Sequence, residues 1–197
     1  MFTNIAEKIV GNMEKQHLIQ TDRRSIYKYG INQMLNMLLN TLTFLLVGLL
    51  FHKITETVIF TSAYIPLRIY AGGFHAKTPL RCWCISAIMI IAVMIIINYA
   101  DNYVFVYDIF SLIAAGLILA LSPIEDKNKP LDKVEKKIYK KRCIIVLVIE
   151  FLLLIVFRFF QNDNFSICIE MTWITLSLML LIGIAKNHII EKKYGGY

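Results

Sequence analysis

The sequence predicts an all-α, polytopic integral membrane protein of about six transmembrane helices, with an interfacial amphipathic helix at its N-terminus. Three observations carry that prediction. The chain is 57% hydrophobic over 197 residues with a mean hydropathy of +0.60, more apolar surface than one soluble core of this length can hide. Several runs of roughly 18 residues carry almost no charge, the length a helix needs to cross the hydrocarbon layer. Basic residues, finally, are sorted by side. No internal repeat or low-complexity linker interrupts the chain, so residues 1–197 read as a single membrane domain.

Residues 1–30 are polar and basic, without an apolar core followed by a small-residue cleavage site, so no removable signal sequence is expected. Phe2, Ile5, Ala6, Ile9, Val10 and Met13 recur at helical spacing and form one apolar stripe. Such a helix either lies in the membrane interface or packs on the cytosolic side of the protein itself. Met34 to Phe51 is the first charge-free span. Trp83 to Ala100 is another, and Val104 to Leu121 is interrupted only by Asp108. Cys143 to Phe160 holds Glu150 and Arg158, and Phe165 to Ala185 holds Glu170. Between the first two lies a weaker span from Ile54 to about Leu67. There Glu56, Pro66 and Arg68 predict a broken or re-entrant segment, tolerable where protein or a water-filled cavity satisfies the backbone.

The net charge of +7 does not call for nucleic acid; in a membrane protein its distribution decides. With six spans, the N-terminus, even-numbered loops and C-terminus hold 19 of the 21 Lys and Arg residues, leaving Lys53 and Arg158 on the other side. Basic loops stay in the cytoplasm, so both termini are expected there, as are the stretches 68–81 and 122–142.

The stretch 68–81 concentrates chemistry. Thr78 suits an N-cap and Pro79 the first helical position, so the third span is expected to begin there with Cys82 in its first turn. The positive end of the helix dipole, with Arg81 and Lys77 nearby, favours a thiolate. Cys84, two residues on, is expected to point the other way, into the packed span. Gly72 and Gly73 precede His75 and allow the chain to fold that imidazole back toward the thiol, giving a base beside a nucleophile. On the spacing alone an interfacial histidine and a packed cysteine explain the same residues. Cys82, Cys84, Cys143 and Cys168 lack paired metal spacing, so no metal or other cofactor is expected. The cysteines other than Cys82 read as small space-fillers.

The run "RIYAGGFHAKTPLRCW" is followed, after a span, by "SPIEDKNKPLDKVE". Together they resemble the accessory gene regulator protein B (AgrB) family over nearly the whole chain, including Tyr29-Gly30 ahead of the first span. The resemblance implies a bacterial cell-membrane cysteine endopeptidase of peptide quorum sensing. Its partner would be an AgrD-like precursor peptide, matured to a cyclic thiolactone or lactone. It assigns the catalytic pair to His75 and Cys82 and matches Arg68 and Gly73 as supporting positions. Gly72, Gly73 and the start of the third span are candidates for oxyanion donors. The bilayer is the other partner, and a homodimer is compatible with the reading.

"SPIEDKNKPLDKVEKKIYKKR" carries eight basic and four acidic residues. It serves as a positive-inside anchor with a short solvated helix from about Leu131, as a dock for an acidic peptide through Lys133, Lys136 and Lys137, or as both. Glu150, near the middle of a span, is expected to face protein or a cavity. Asp108 and Glu170 are expected to reach water near the outer interface. A small permease or peptide exporter, with residues 68–81 as its gate, is the rival function; Glu150 and the polar positions Asn32, Gln33, Asn36 and Asn40 would suit it.

Overall fold

The computed structural model describes residues 2–74, 76, 78–99, 104–125 and 131–194, the last six by backbone alone. Seven helices account for nearly all of them: α1 Thr3–Lys15, α2 Arg24–Leu50, α3 Ile54–Ala71, α4 Pro79–Tyr99, α5 Val104–Leu121, α6 Lys133–Phe159 and α7 Asp163–Tyr194. Among the described residues there is no strand, only an isolated parallel bridge between Gly72 and Ile124.

Four segments are long and apolar enough to cross a membrane: Thr21–Leu50, Pro79–Tyr99, Val104–Leu121 and Asp163–His188. Their outward faces carry Ile88, Ile95, Phe105, Leu112 and Leu178, all more than 40% exposed. Apolar surface on this scale needs lipid to cover it. The chain is an all-α membrane protein. α3 and α6 are the other two long helices, each bearing charge along its length.

α3 corrects one expectation. It is a single unbroken helix of 18 residues running through Pro66 to Ala71. A proline costs a helix one hydrogen bond. Buried Phe60, Thr61, Tyr64, Leu67 and Ala71 on the packed side of α3 hold it against its neighbours. α6 likewise merges the expected short basic helix with the following span. Asp132 starts it with a reciprocal capping box: its side chain accepts from the Glu135 N–H at 2.7 Å, and Glu135 accepts from the Asp132 N–H at 3.1 Å.

α7 is the centre of the bundle, packed on α3, α5 and α6. Two-thirds of its span is buried, against about a quarter or less for the other three. Its small residues permit that. Ser166, Cys168, Thr172 and Ser177 turn their polar atoms back to carbonyls three or four residues earlier, so close packing leaves no hydroxyl bare. α1 folds back on α2, burying Ala6 and Val10 while Ile5 and Ile9 stay exposed. Arg24 clamps it, donating to Glu7 at 2.7 Å and Glu14 at 2.9 Å, and Lys28 also pairs with Glu7. Those two cations hold the Glu7 carboxyl below its usual range. The apolar stripe thus packs on the protein with one edge and faces outward with the other.

Of the acids in the spans, Asp108 and Glu150 lie as expected, one exposed and the other buried, and Glu170 does not. Glu170 does not reach water: it is fully buried and accepts from Arg158 at 2.8 Å. The same guanidinium reaches Asp108 at 2.7 Å and Asp163 at 2.6 Å, joining α5, α6 and α7 at one end of the bundle. Glu150 is also buried and accepts from the indole N–H of Trp173 at 2.7 Å.

Candidate active site

The segment between α3 and α4 is anchored at both ends. α4 begins at Pro79 as its sequence dictates. The Thr78 hydroxyl accepts from the Arg81 N–H at 3.3 Å, and the Cys82 N–H makes the first intrahelical bond, to the Thr78 carbonyl at 3.0 Å. Cys82 therefore lies in the first turn of α4, half-buried. His75 and Lys77 lie outside the described residues.

The other end is held by Arg68. Its guanidinium donates to the carbonyls of Gly72 and Phe74, turning the chain sharply at the end of α3. That turn requires glycine. Gly72 has φ +74° and ψ −144°, and Gly73 has φ +115°, conformations that L side chains rarely adopt. A Cβ on Gly72 would strike the Ile124 carbonyl, and one on Gly73 would strike the Arg68 side chain. The Gly72 N–H donates to the Arg68 carbonyl at 3.1 Å, so both glycines and Arg68 form one interlocked corner.

Two further elements grip this corner. The Phe74 N–H donates to the Met179 carbonyl of α7 at 3.0 Å, and Gly183 leaves the room for it; a Cβ there would come within 2.8 Å of the Phe74 nitrogen. The Ile124 N–H donates to the Ala71 carbonyl at 2.9 Å, bringing the loop after α5 alongside. Lys136 of α6 pairs with Glu125, and the Asn187 amide donates to the Glu125 carbonyl at 2.9 Å. Glu125 is held below the ordinary carboxylate range by Lys136.

Basic side chains gather around the corner. Lys186 lies over the Phe74 ring at 5.4 Å and Arg142 over the Tyr70 ring at 5.6 Å, while Lys140 donates to the carbonyls of Leu119 and Ser122. Lys133, Lys136 and Lys137 stand exposed on the first turns of α6. Tyr64, one turn before Arg68, is buried and stacks on Phe60 with ring centroids 5.5 Å apart.

Of the residues singled out by sequence, Arg68, Gly72 and Gly73 come together in this corner, and Cys82 lies in the first turn of the helix that follows it. Cys84 behaves otherwise than expected: it is exposed, on the outer side of α4, and fills no core. Cys143 and Cys168 are buried as space-fillers. Sequence reasoning missed Tyr64, Gly183, Lys186 and Asn187. A lone glycine followed by a cation near the end of an apolar span was the available signal for the α7 pair.

A family model described as "Accessory gene regulator B" matches residues 4–182. The chain belongs to the AgrB family. An AgrB-like protein of Clostridium perfringens (strain 13) is 23% identical over 85% of this chain and 82% of its own length. Accessory gene regulator protein B of Staphylococcus carnosus is 28% identical over 70% of this chain and 71% of its own length. Protein FsrB of Enterococcus faecalis is 27% identical over 82% of this chain and 66% of its own length. No solved structure matches the chain. The AgrB match spans all of α2 to α6 and therefore contains every residue of the corner up to Met179, with Gly183, Lys186 and Asn187 just beyond it.

Proposed function

We propose that this AgrB-family chain is a membrane cysteine endopeptidase that cleaves an AgrD-like precursor and closes its cyclic thiolactone or lactone. The observation that carries the reading is the placing of Cys82. It occupies a proline-started, Thr78-capped first turn, ten residues after Gly72 of the corner that Arg68 ties together.

In this mechanism His75 takes the Cys82 proton and the thiolate attacks a precursor carbonyl. The carbonyl π electrons move onto oxygen, forming a tetrahedral oxyanion. Since the Gly72 N–H is engaged with the Arg68 carbonyl and those of Arg81 and Cys82 with Thr78, Gly73 and Leu80 are the better candidates to donate to it. Collapse breaks the C–N bond; the leaving amine takes the proton from His75, and a thioester remains on Cys82. A thiol or hydroxyl of the precursor then attacks the acyl carbon and closes the ring; the C–S bond to Cys82 breaks, and the attacking group's proton passes through His75 to the departing Cys82 thiolate. Exchange between two thioesters is nearly balanced, whereas making the first from an amide is uphill. Removal of the released fragment therefore pulls the reaction forward. Burial beside the bilayer limits competing hydrolysis.

The basic rim supports a second part of the reading: Lys133, Lys136 and Lys137 attract an acidic segment of the precursor. Six crossings by α2 to α7, with both termini in the cytoplasm, put corner, rim and α1 on one face. A peptide exporter using the same corner as a gate is the competing reading, and it has no need of a thiol at Cys82. Co-expression with an AgrD-like precursor, followed by mass spectrometry, separates them. Cys82→Ala, Cys82→Ser and His75→Ala should each yield uncleaved precursor, while cleaved cyclic product from Cys82→Ala would leave only the exporter.

A further inference from the structure

The C-terminal half of α7 forms a seat for the chain that leaves α3. Phe74 donates its N–H to the Met179 carbonyl at 3.0 Å. In an α-helix that carbonyl's ordinary donor is the N–H four residues later, which here belongs to Gly183. A carbonyl oxygen has two lone pairs and can take both donors, provided the second can approach. Helical side chains lean toward the N-terminus, so one at position 183 would cover the turn that contains Met179. Glycine leaves that turn bare. A Cβ there would stand 2.8 Å from the Phe74 nitrogen and 2.9 Å from the Gly73 carbonyl carbon.

Conformation does not ask for glycine at this position. Gly183 lies well inside α7, where alanine is the better helix former. At Gly11, Gly30 and Gly116, also within helices, an added Cβ would meet nothing within 4 Å, and at Gly48 the nearest atom belongs to the Thr57 side chain. Of the helical glycines among the described residues, only Gly183 has another segment's backbone as its nearest neighbour. A backbone cannot swing aside as a side chain can. Phe74 is also held by its carbonyl, which accepts from Arg68, and by its ring, which lies under Lys186 at 5.4 Å.

Three residues separate Phe74 from Thr78, which caps α4, and the first of them is His75. Fully extended, that connection reaches about 14 Å. We propose that Gly183 is a positioning residue for the endopeptidase reaction: by seating Phe74 on α7 it sets where His75 leaves the corner relative to the Cys82 thiol. The inference rests on the proposed roles of His75 and Cys82. A base must come within about 3 Å of the proton it takes, and a misplacement of about 1 Å can cost about 100-fold in rate. Gly183 reaches the reaction only through Phe74, from a helix that carries neither the base nor the nucleophile.

Gly183→Ala in proteoliposomes, with cleavage of a synthetic AgrD-like precursor followed over a range of concentrations, tests the proposal. kcat should fall about 10- to 100-fold while KM stays within about twofold of the parent's, since the basic rim that attracts the precursor is untouched. Gly116→Ala, whose Cβ enters open space, should match the parent in both. A second variant leaves α7 intact: phenyllactate in place of Phe74 exchanges its N–H for an ester oxygen and should also lower kcat with KM unchanged. This variant decides the matter if Gly183→Ala does not accumulate in the membrane. An unchanged kcat in either variant, or a loss carried by KM alone, would overturn the inference and leave the endopeptidase standing. A parent chain that releases no precursor fragment would overturn the endopeptidase, and this inference with it.

Discussion

Gly72 and Ile124 pair across two loops distant in sequence, and nothing larger than a hydrogen atom fits where the Gly72 side chain would stand. The pairing ties the segment bearing the candidate nucleophile to the loop that leads into the basic start of α6. Gly72→Ala should therefore disable processing without preventing insertion. The left-handed backbone costs a side chain about 1–3 kcal/mol, before the collision with the Ile124 carbonyl is added. Product yield and membrane-fraction abundance, measured together, check this; full processing by the variant would contradict it.

The acid cluster at the other end gives a stability prediction. Arg158→Leu strands the fully buried Glu170 without its cation, a change worth about 3–5 kcal/mol for a buried pair. Thermal unfolding in detergent should show a marked fall in Tm. Glu170→Gln, which keeps the shape and removes the charge, should cost much less.

The basic rim makes a prediction about salt. Lys133→Glu with Lys137→Glu should weaken precursor binding at low ionic strength, and the deficit should shrink as salt screens exposed charges over about 10 Å at 0.1 M. Lys136 is different because it is paired with Glu125. That carboxylate is held below its ordinary value, so the pair is complete above about pH 4.3 and is lost only as pH falls further. Lys136→Glu should loosen the loop itself, visible as faster proteolysis between α5 and α6 at neutral pH.

Topology follows from the charge distribution. Reporters fused after Tyr197 or inserted beside Asp132 should both behave as cytoplasmic. An extracellular signal from either would overturn the six-crossing arrangement.

Much of this was legible before any coordinates. Thr78-Pro79 is a start signal that acts locally, so α4 begins where its residues say it should. The apolar runs gave α2, α5 and α7 because lipid, like a core, rewards uninterrupted hydrophobicity. α3 was harder. Pro66 and Arg68 read as breaks in isolation, yet packing against α7 and the two carbonyl bonds of Arg68 more than offset them, and neither is visible along one dimension. Glu170 was misjudged for the same reason. Its depth was readable, but its cation stands on another helix. Cys84 was placed in a core because periodicity separates faces without saying which face meets lipid. The corner's composition could be read from its glycines and arginine, but its support from Gly183, Lys186 and Asn187 depends on a fold that returns α7 to the same end.

The claim at the centre is that Cys82 carries the acyl group. Incubating the chain with an AgrD-like precursor whose ring-closing cysteine is replaced by alanine blocks the second step. Quenching in acid and mapping peptides by mass spectrometry should then find Cys82 bearing the precursor's N-terminal fragment as a thioester released by hydroxylamine, with Cys84 unmodified. The adduct on Cys84 instead, or release of the C-terminal fragment with no adduct on any cysteine, would contradict the account.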